Sequence, residues 1–215
     1  MKKISEIYTE YKIMPNLQEH MLRVAAVASL ICDNFNEPVS KAELVTACLL
    51  HDMGNIIKSQ LEYFPEFLEP EGLEYWQGVK NEYINKYGRD EHKATEQIMK
   101  ELGVFPNLIS VVDQIRFSLI RNIRDSNDMM MKIIIYSDNR ADPHGIVSYE
   151  ERMEEGKKRY KNRKDVFGIT GRDELIQCGK EIEKQIFSKC KIKPEDINNE
   201  TVAPIVLKLK NFVVK

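Results

Sequence analysis

Apolar residues recur at three- and four-residue steps along most of this chain, and this periodicity limits the fold more than any other feature. Leu17, Met21, Val24, Ala28 and Ile31 mark one face of a helix over about 17–35, entered after Pro15-Asn16 and ended near Asn34, Asn36 and Pro38. Leu44 to Leu50 is a continuous apolar stretch that closes on His51-Asp52. Ser40-Lys41-Ala42-Glu43 reads as a capping box opening that helix. Further helical patterns cover about 75–87, 91–102 with Gly103 as a stop, and 108–120. Another starts at Asn127-Asp128 and runs toward Asp138; its isoleucines also admit a strand, but length and neighbours favour a helix. Ser148-Tyr149-Glu150-Glu151 is a second capping box, before a charged helix to about 163, a turn over 164–172 and a helix over 174–187. The predicted class is all-α, a compact helical bundle. Residues 1–190 are expected to form the main domain. Residues 191–215 are an extension in which a short helix and a terminal strand are both open.

A chain of 215 residues suits one domain, or one domain with a tail. With 32 basic against 34 acidic residues, no overall field favours wholesale nucleic-acid binding, although a local basic pocket could hold a small polyanion. Cys32, Cys48, Cys178 and Cys190 form no CxxC pair, and Cys32 and Cys48 fall in apolar patterns as buried thiols. The N-terminal sequence lacks a signal-like apolar run, and no stretch reaches eighteen apolar residues. No membrane partner and a cytoplasmic location are therefore expected. Residues 61–75, with Pro65, Pro70 and Gly72 among acids and aromatics, read as a loop or short-helix insertion, serving as a packed surface loop or a lid.

His51-Asp52 needs a physical reason. Two metal-binding side chains at the end of a buried helix are costly without a cation. His20 upstream and Asp138 downstream each follow or occupy an apolar helical pattern. Singly, each has a plain reading: a satisfied core histidine, a helix-end hydrogen-bond pair, and a carboxylate paired with Arg140. Together they offer the mixed nitrogen and oxygen donors that divalent metals accept.

Gln18-Glu19-His20-Met21-Leu22-Arg23-Val24, Leu49-Leu50-His51-Asp52-Met53-Gly54-Asn55 and Ile135-Tyr136-Ser137-Asp138-Asn139-Arg140 together resemble the HD-domain metal-dependent phosphohydrolase superfamily. Its ordered pattern is a histidine, a His-Asp doublet and a distant aspartate, and the likeness spans about 17–160. It implies an HD-domain-like helical bundle and metal ligands His20, His51, Asp52 and Asp138. It also implies divalent-metal-dependent hydrolysis of small phosphate esters, with nucleotides as candidates. A phosphodiesterase and a catalytically inactive nucleotide-binding sensor are the alternatives. Manganese, iron, cobalt, nickel, magnesium and zinc all suit the donor set. The expected partner is a small phosphate-containing substrate; monomer and homo-oligomer are both open.

The remaining site candidates are ranked around those ligands. Asp52 could orient water as well as bind the ion, and Lys58 could reach substrate phosphate. Arg23, one turn beyond His20, and Arg140 are further substrate-binding candidates. His92 resembles an additional histidine of two-metal family members and is a catalytic candidate. The following region, Asp113-Gln114-Ile115-Arg116-Phe117, lacks the histidines that would complete such a second site. Glu82, Asp90 and Glu91 could move protons, but none has an identifying spacing. Asp142-Pro143-His144 reads as a turn. Tyr75 and Trp76 read as core aromatics ahead of a nucleobase cover.

Overall fold

In the computed structural model, which describes residues 1–159 and 168–214, helices account for most of the ordered backbone. They are α1 (Ile4–Glu10), α2 (Pro15–Asp33), α3 (Lys41–Leu50), α4 (Gly72–Tyr87), α5 (Glu91–Glu101) and α6 (Pro106–Gln114). They continue with α7 (Ile120–Asp125), α8 (Met129–Asp138), α9 (Tyr149–Arg159), α10 (Gly168–Phe187) and α11 (Asn199–Leu209). The one sheet among the described residues joins the termini. Its strands β1 (Lys2–Lys3) and β2 (Val213–Val214) run antiparallel, with Lys2 opposite Val214. The all-α expectation holds, with this two-residue clasp added.

α2 is the central element. Pro15 starts it with a fixed φ at a position that needs no N–H donor. From Val24 to Ser29 every side chain is buried, so the helix is enclosed on all sides rather than on one stripe. α3, α8 and α11 pack against it. Ala25, Ala26, Ala28 and Ser29 are small enough to let these neighbours approach closely. α11 thus belongs to the wall around α2, and Lys210 adds an ion pair to Glu19 at 2.9 Å.

Caps explain several boundaries. Asp90 accepts from His92 and Lys93 at the start of α5, and Asp128 accepts from Met131 at the start of α8. This cap and the buried run from Met131 to Ser137 make residues 129–138 a helix, not a strand. Ser148 and Glu151 form the expected reciprocal box. The Ser40 box does not form: α3 starts at Lys41 with no side-chain bond from Ser40. Burial of Leu44 to Leu50 holds that helix instead.

The single helix expected over 108–120 is broken. α6 ends at Gln114, a 3-10 turn covers Phe117–Leu119, and α7 begins at Ile120. Arg116 is the reason. Its backbone is extended (φ −134°, ψ 136°), and its Nε donates to the Asp113 carbonyl at 2.8 Å, satisfying an acceptor at the helix end. The turn expected over 164–172 is replaced by helix from Gly168 onward; residues 164–167 lie outside those described, as does the end of the charged helix beyond Arg159. Between α3 and α4 the chain forms three 3-10 turns, Asn55–Lys58, Leu61–Tyr63 and Pro65–Leu68. Trp76 is a core residue whose Nε1 donates to the Leu68 carbonyl at 3.2 Å, while Tyr75 is exposed. All four cysteines are free, with Cys48 buried as expected and Cys32 only partly covered. Among the described residues, no helix is long and apolar enough to cross a membrane.

Candidate metal centre

The orientation of His51 follows from the end of α3. The last carbonyls of a helix lack intrahelical donors. Tyr8 on α1 donates its hydroxyl to the Leu49 carbonyl at 2.7 Å, and His51 Nδ1 lies 2.7 Å from the Cys48 carbonyl. A carbonyl can only accept, so Nδ1 carries a proton, and Nε2 is the nitrogen that presents a lone pair once the ring is neutral. Nε2 is buried and has no hydrogen-bond partner. A polar atom in that state is costly unless something outside the protein satisfies it.

Three other side chains converge on that lone pair. His20, from the first half of α2, places Nε2 3.0 Å from Asp138 Oδ1 and 3.8 Å from Asp52 Oδ2. His51 Nε2 lies 3.6 Å from Asp138 Oδ1 and 3.8 Å from Asp52 Oδ2. Ligand atoms of His20, His51 and Asp52 all lie within 4.8 Å of one another. Two donors each about 2.1 Å from one ion, at tetrahedral or right angles, sit about 3.0–3.4 Å apart. The His20–Asp138 pair has that separation and the other pairs are a few tenths of an ångström wider, so the residues present fit a divalent cation by donor type and by the orphaned Nε2, with a small inward movement of the donors. Asn55 Nδ2 donates to Asp52 Oδ2 at 2.7 Å and fixes that carboxylate. Sequence reading missed Asn55 as a site residue; its signal was a polar residue three positions beyond Asp52.

Without a cation the four groups bind each other. Burial opposes charge on His51, but Asp52 and Asp138 outweigh it and raise the imidazole to about 9. Burial likewise works against ionised Asp138, yet the contacts with His20 and His51 hold its carboxyl well below the usual carboxylate range.

A family model described as HD domain matches residues 17–101. These residues form an HD domain. The match includes His20, His51, Asp52, Lys58 and His92, and ends before Asp138. Comparison of the chain with curated proteins and with solved structures finds no match.

Beside the HD doublet lies a small recess of about 10 Å³, lined by His51, His92, Thr95, Glu96, Ile109, Val112 and Asp113. Gly54 allows the close approach of the HD turn to α5. Its N–H donates to Thr95 Oγ1 at 2.9 Å, and a Cβ there would meet the Glu91 carbonyl at 2.3 Å. The HD turn is thus locked against α5, which carries His92. Glu91 Oε1 sits 3.4 Å from Lys58 Nζ and 3.6 Å from His92 Nε2, drawing both into one cluster. Burial, then the nearby Arg116 charge, lowers the His92 pKa, so the ring is neutral at neutral pH.

The structure does not bring every candidate inward. Arg140 is withdrawn as a substrate-binding residue: it is 3% exposed, and its guanidinium faces protein acceptors. It donates to the Val147 carbonyl, to Tyr136 Oη at 2.6 Å, and to the Pro194 and Ile197 carbonyls at 3.2 and 2.7 Å. Arg23 donates through Nη1 to the Pro143 carbonyl at 3.2 Å and is partly exposed. Asp90 is occupied as the α5 cap, and Glu82 pairs with Lys12 at 2.7 Å in a separate groove. Asp142 Oδ1 accepts from the backbone N–H of His144 and of Gly145, both at 2.7 Å, which gives the expected turn.

Proposed function

We propose that this chain is a divalent-metal-dependent phosphohydrolase of small phosphate esters, nucleotides among them, working in the cytoplasm. The observation that carries the reading is the buried, unpartnered Nε2 of His51, facing His20, Asp52 and Asp138. These four residues would hold the ion. A divalent cation there supplies charge that offsets the developing charge on phosphoryl oxygens and eases deprotonation of the attacking water.

The chain's own residues do the rest. Asn55 keeps the Asp52 carboxylate directed at the donor cluster. His92, neutral at neutral pH and on the wall shared with His51, is suited to accept the proton of the attacking water. Lys58, held beside Glu91, offers a positive charge to substrate phosphate, and Arg23, one turn beyond His20, offers another. Water oxygen bonds to phosphorus, the ester P–O bond breaks, and an alcohol and phosphate leave.

The test is phosphate release from nucleoside monophosphates, nucleoside triphosphates and sugar phosphates. Metal-stripped protein would be reloaded separately with manganese, cobalt, nickel, magnesium, iron or zinc. Metal-dependent release that is lost in His51→Asn supports the reading. Diester cleavage without phosphate release makes the enzyme a phosphodiesterase. Saturable nucleotide binding with no turnover of either ester type makes it a sensor.

A further inference from the structure

Two segments leave the donor cluster in different directions along the chain and meet again through aromatic rings. The first follows the HD turn and contains Phe64 and Phe67; the second follows Asp138 and contains His144. The Phe64 and Phe67 rings are 5.2 Å apart, centre to centre. They lie 6.1 and 5.7 Å from the His144 ring. Tyr63, exposed, meets the edge of Phe64 at 4.7 Å.

Anchoring of the first segment does not explain these rings. Leu61 and Leu68 are buried at its two ends, and the Trp76 indole holds the Leu68 carbonyl. Phe64 and Phe67 lie between those anchors and remain only partly covered. The second segment is tied down along its backbone. Arg23 holds the Pro143 carbonyl, Asp142 holds the His144 and Gly145 amides, and Asn199 Oδ1 accepts from Ile146 at 2.8 Å. This presents the exposed His144 ring in a set position. Among the described residues no hydrogen bond or ion pair involves its imidazole; its ring contacts are the two phenylalanines. Arg23 sits one turn beyond His20 on α2, so its bond to Pro143 ties the His144 segment to the helix that carries a donor. An exposed imidazole set against two partly covered phenyl rings favours a planar π-bearing group, whose stacking is tolerant of its substituents.

We propose that Phe64, Phe67 and His144 form a recognition surface for a planar aromatic group attached to the substrate phosphate, a nucleobase in a nucleotide. This rests on the phosphohydrolase reading for the position of the phosphate, and it adds what selects the remainder of the substrate. Phosphate held near the donor cluster leaves its aromatic substituent against the rings.

The test compares the four ribonucleoside 5′-monophosphates with ribose 5-phosphate, which keeps the phosphate and sugar and lacks the base. Dissociation constants are measured by calorimetry on the full-length manganese-loaded protein, alongside kcat/KM. At least one nucleotide binds about tenfold tighter than ribose 5-phosphate or better. That preference disappears in Phe64→Leu/Phe67→Leu and shrinks in His144→Ala, while ribose 5-phosphate affinity is unchanged. His144→Ala alters an exposed side chain and guards against a folding defect in the double variant. Equal affinity for all five ligands in the native protein, no binding of any, or a preference that survives both variants overturns the proposal. Ring-dependent preference without hydrolysis would refute the phosphohydrolase reading and leave this surface standing. Hydrolysis with no ring-dependent preference would do the reverse.

Discussion

The Cys48 carbonyl selects which nitrogen of His51 is available. Nδ1–H is engaged at 2.7 Å, and Nε2 is left facing the other donors. His51→Asn keeps an amide donor near the Nδ1 position and removes Nε2. Its cation affinity should fall by more than the roughly 10–100-fold typical of losing an outer-shell partner, with helicity retained by circular dichroism. The raised His51 pKa sets the sign of a pH effect. Below about 9 the cation-free imidazole is protonated, so at neutral pH a cation must displace a proton. Apparent affinity should therefore rise with pH up to that value, and calorimetry in buffers of different ionisation enthalpy should detect released protons. Affinity that is flat across neutral pH would contradict this. His92 should behave differently: His92→Gln should lower kcat by roughly 10²–10⁴ with little change in cation affinity.

At the scale of elements, the approach of the HD turn to α5 depends on Gly54. Gly54→Ala pushes a Cβ into the Glu91 carbonyl and the Ala94 side chain, and should cost about 1–3 kcal/mol in denaturant unfolding. An unchanged midpoint would show that the two elements are not tightly locked. The caps give a paired prediction. Asp90→Ala should cost about 1 kcal/mol because two N–H groups lose an acceptor, while Ser40→Ala should be near neutral. Both sites looked like helix starts in the sequence. Pattern identifies candidate caps, but rotamer and local backbone decide whether the bond forms. The break after α6 was hidden for a related reason. The apolar spacing continues through Ile115 and Leu119, while the Arg116 side chain takes the Asp113 carbonyl and ends the helix.

At the scale of the molecule, Arg140 joins the end of α8 to the tail. It bridges the loop through Val147 and the tail through Pro194 and Ile197, and Tyr136 passes the contact on to Glu183 at 2.8 Å. Arg140→Met keeps bulk but strips donors from several buried acceptors. It should destabilise by about 3 kcal/mol or more, and should weaken cation binding through the displaced end of α8 next to Asp138. Thermal melting with and without manganese separates the two effects. A variant with native stability would remove Arg140 from this structural role.

The sequence by itself determined the helical class, since apolar steps of three and four residues bury one face of a helix. It also singled out His20, His51, Asp52 and Asp138 as candidate donors, through their resemblance to an ordered family pattern. Tertiary structure decided how those donors are aimed. His20, the His51-Asp52 doublet and Asp138 lie far apart along the chain and meet only because α2 packs against both α3 and α8. It also turned Arg140 from a phosphate-binding candidate into a buried clasp, and brought Phe64, Phe67 and His144 into ring contact. Such pairings depend on long-range packing and leave no local periodicity, so no spacing in the chain announces them.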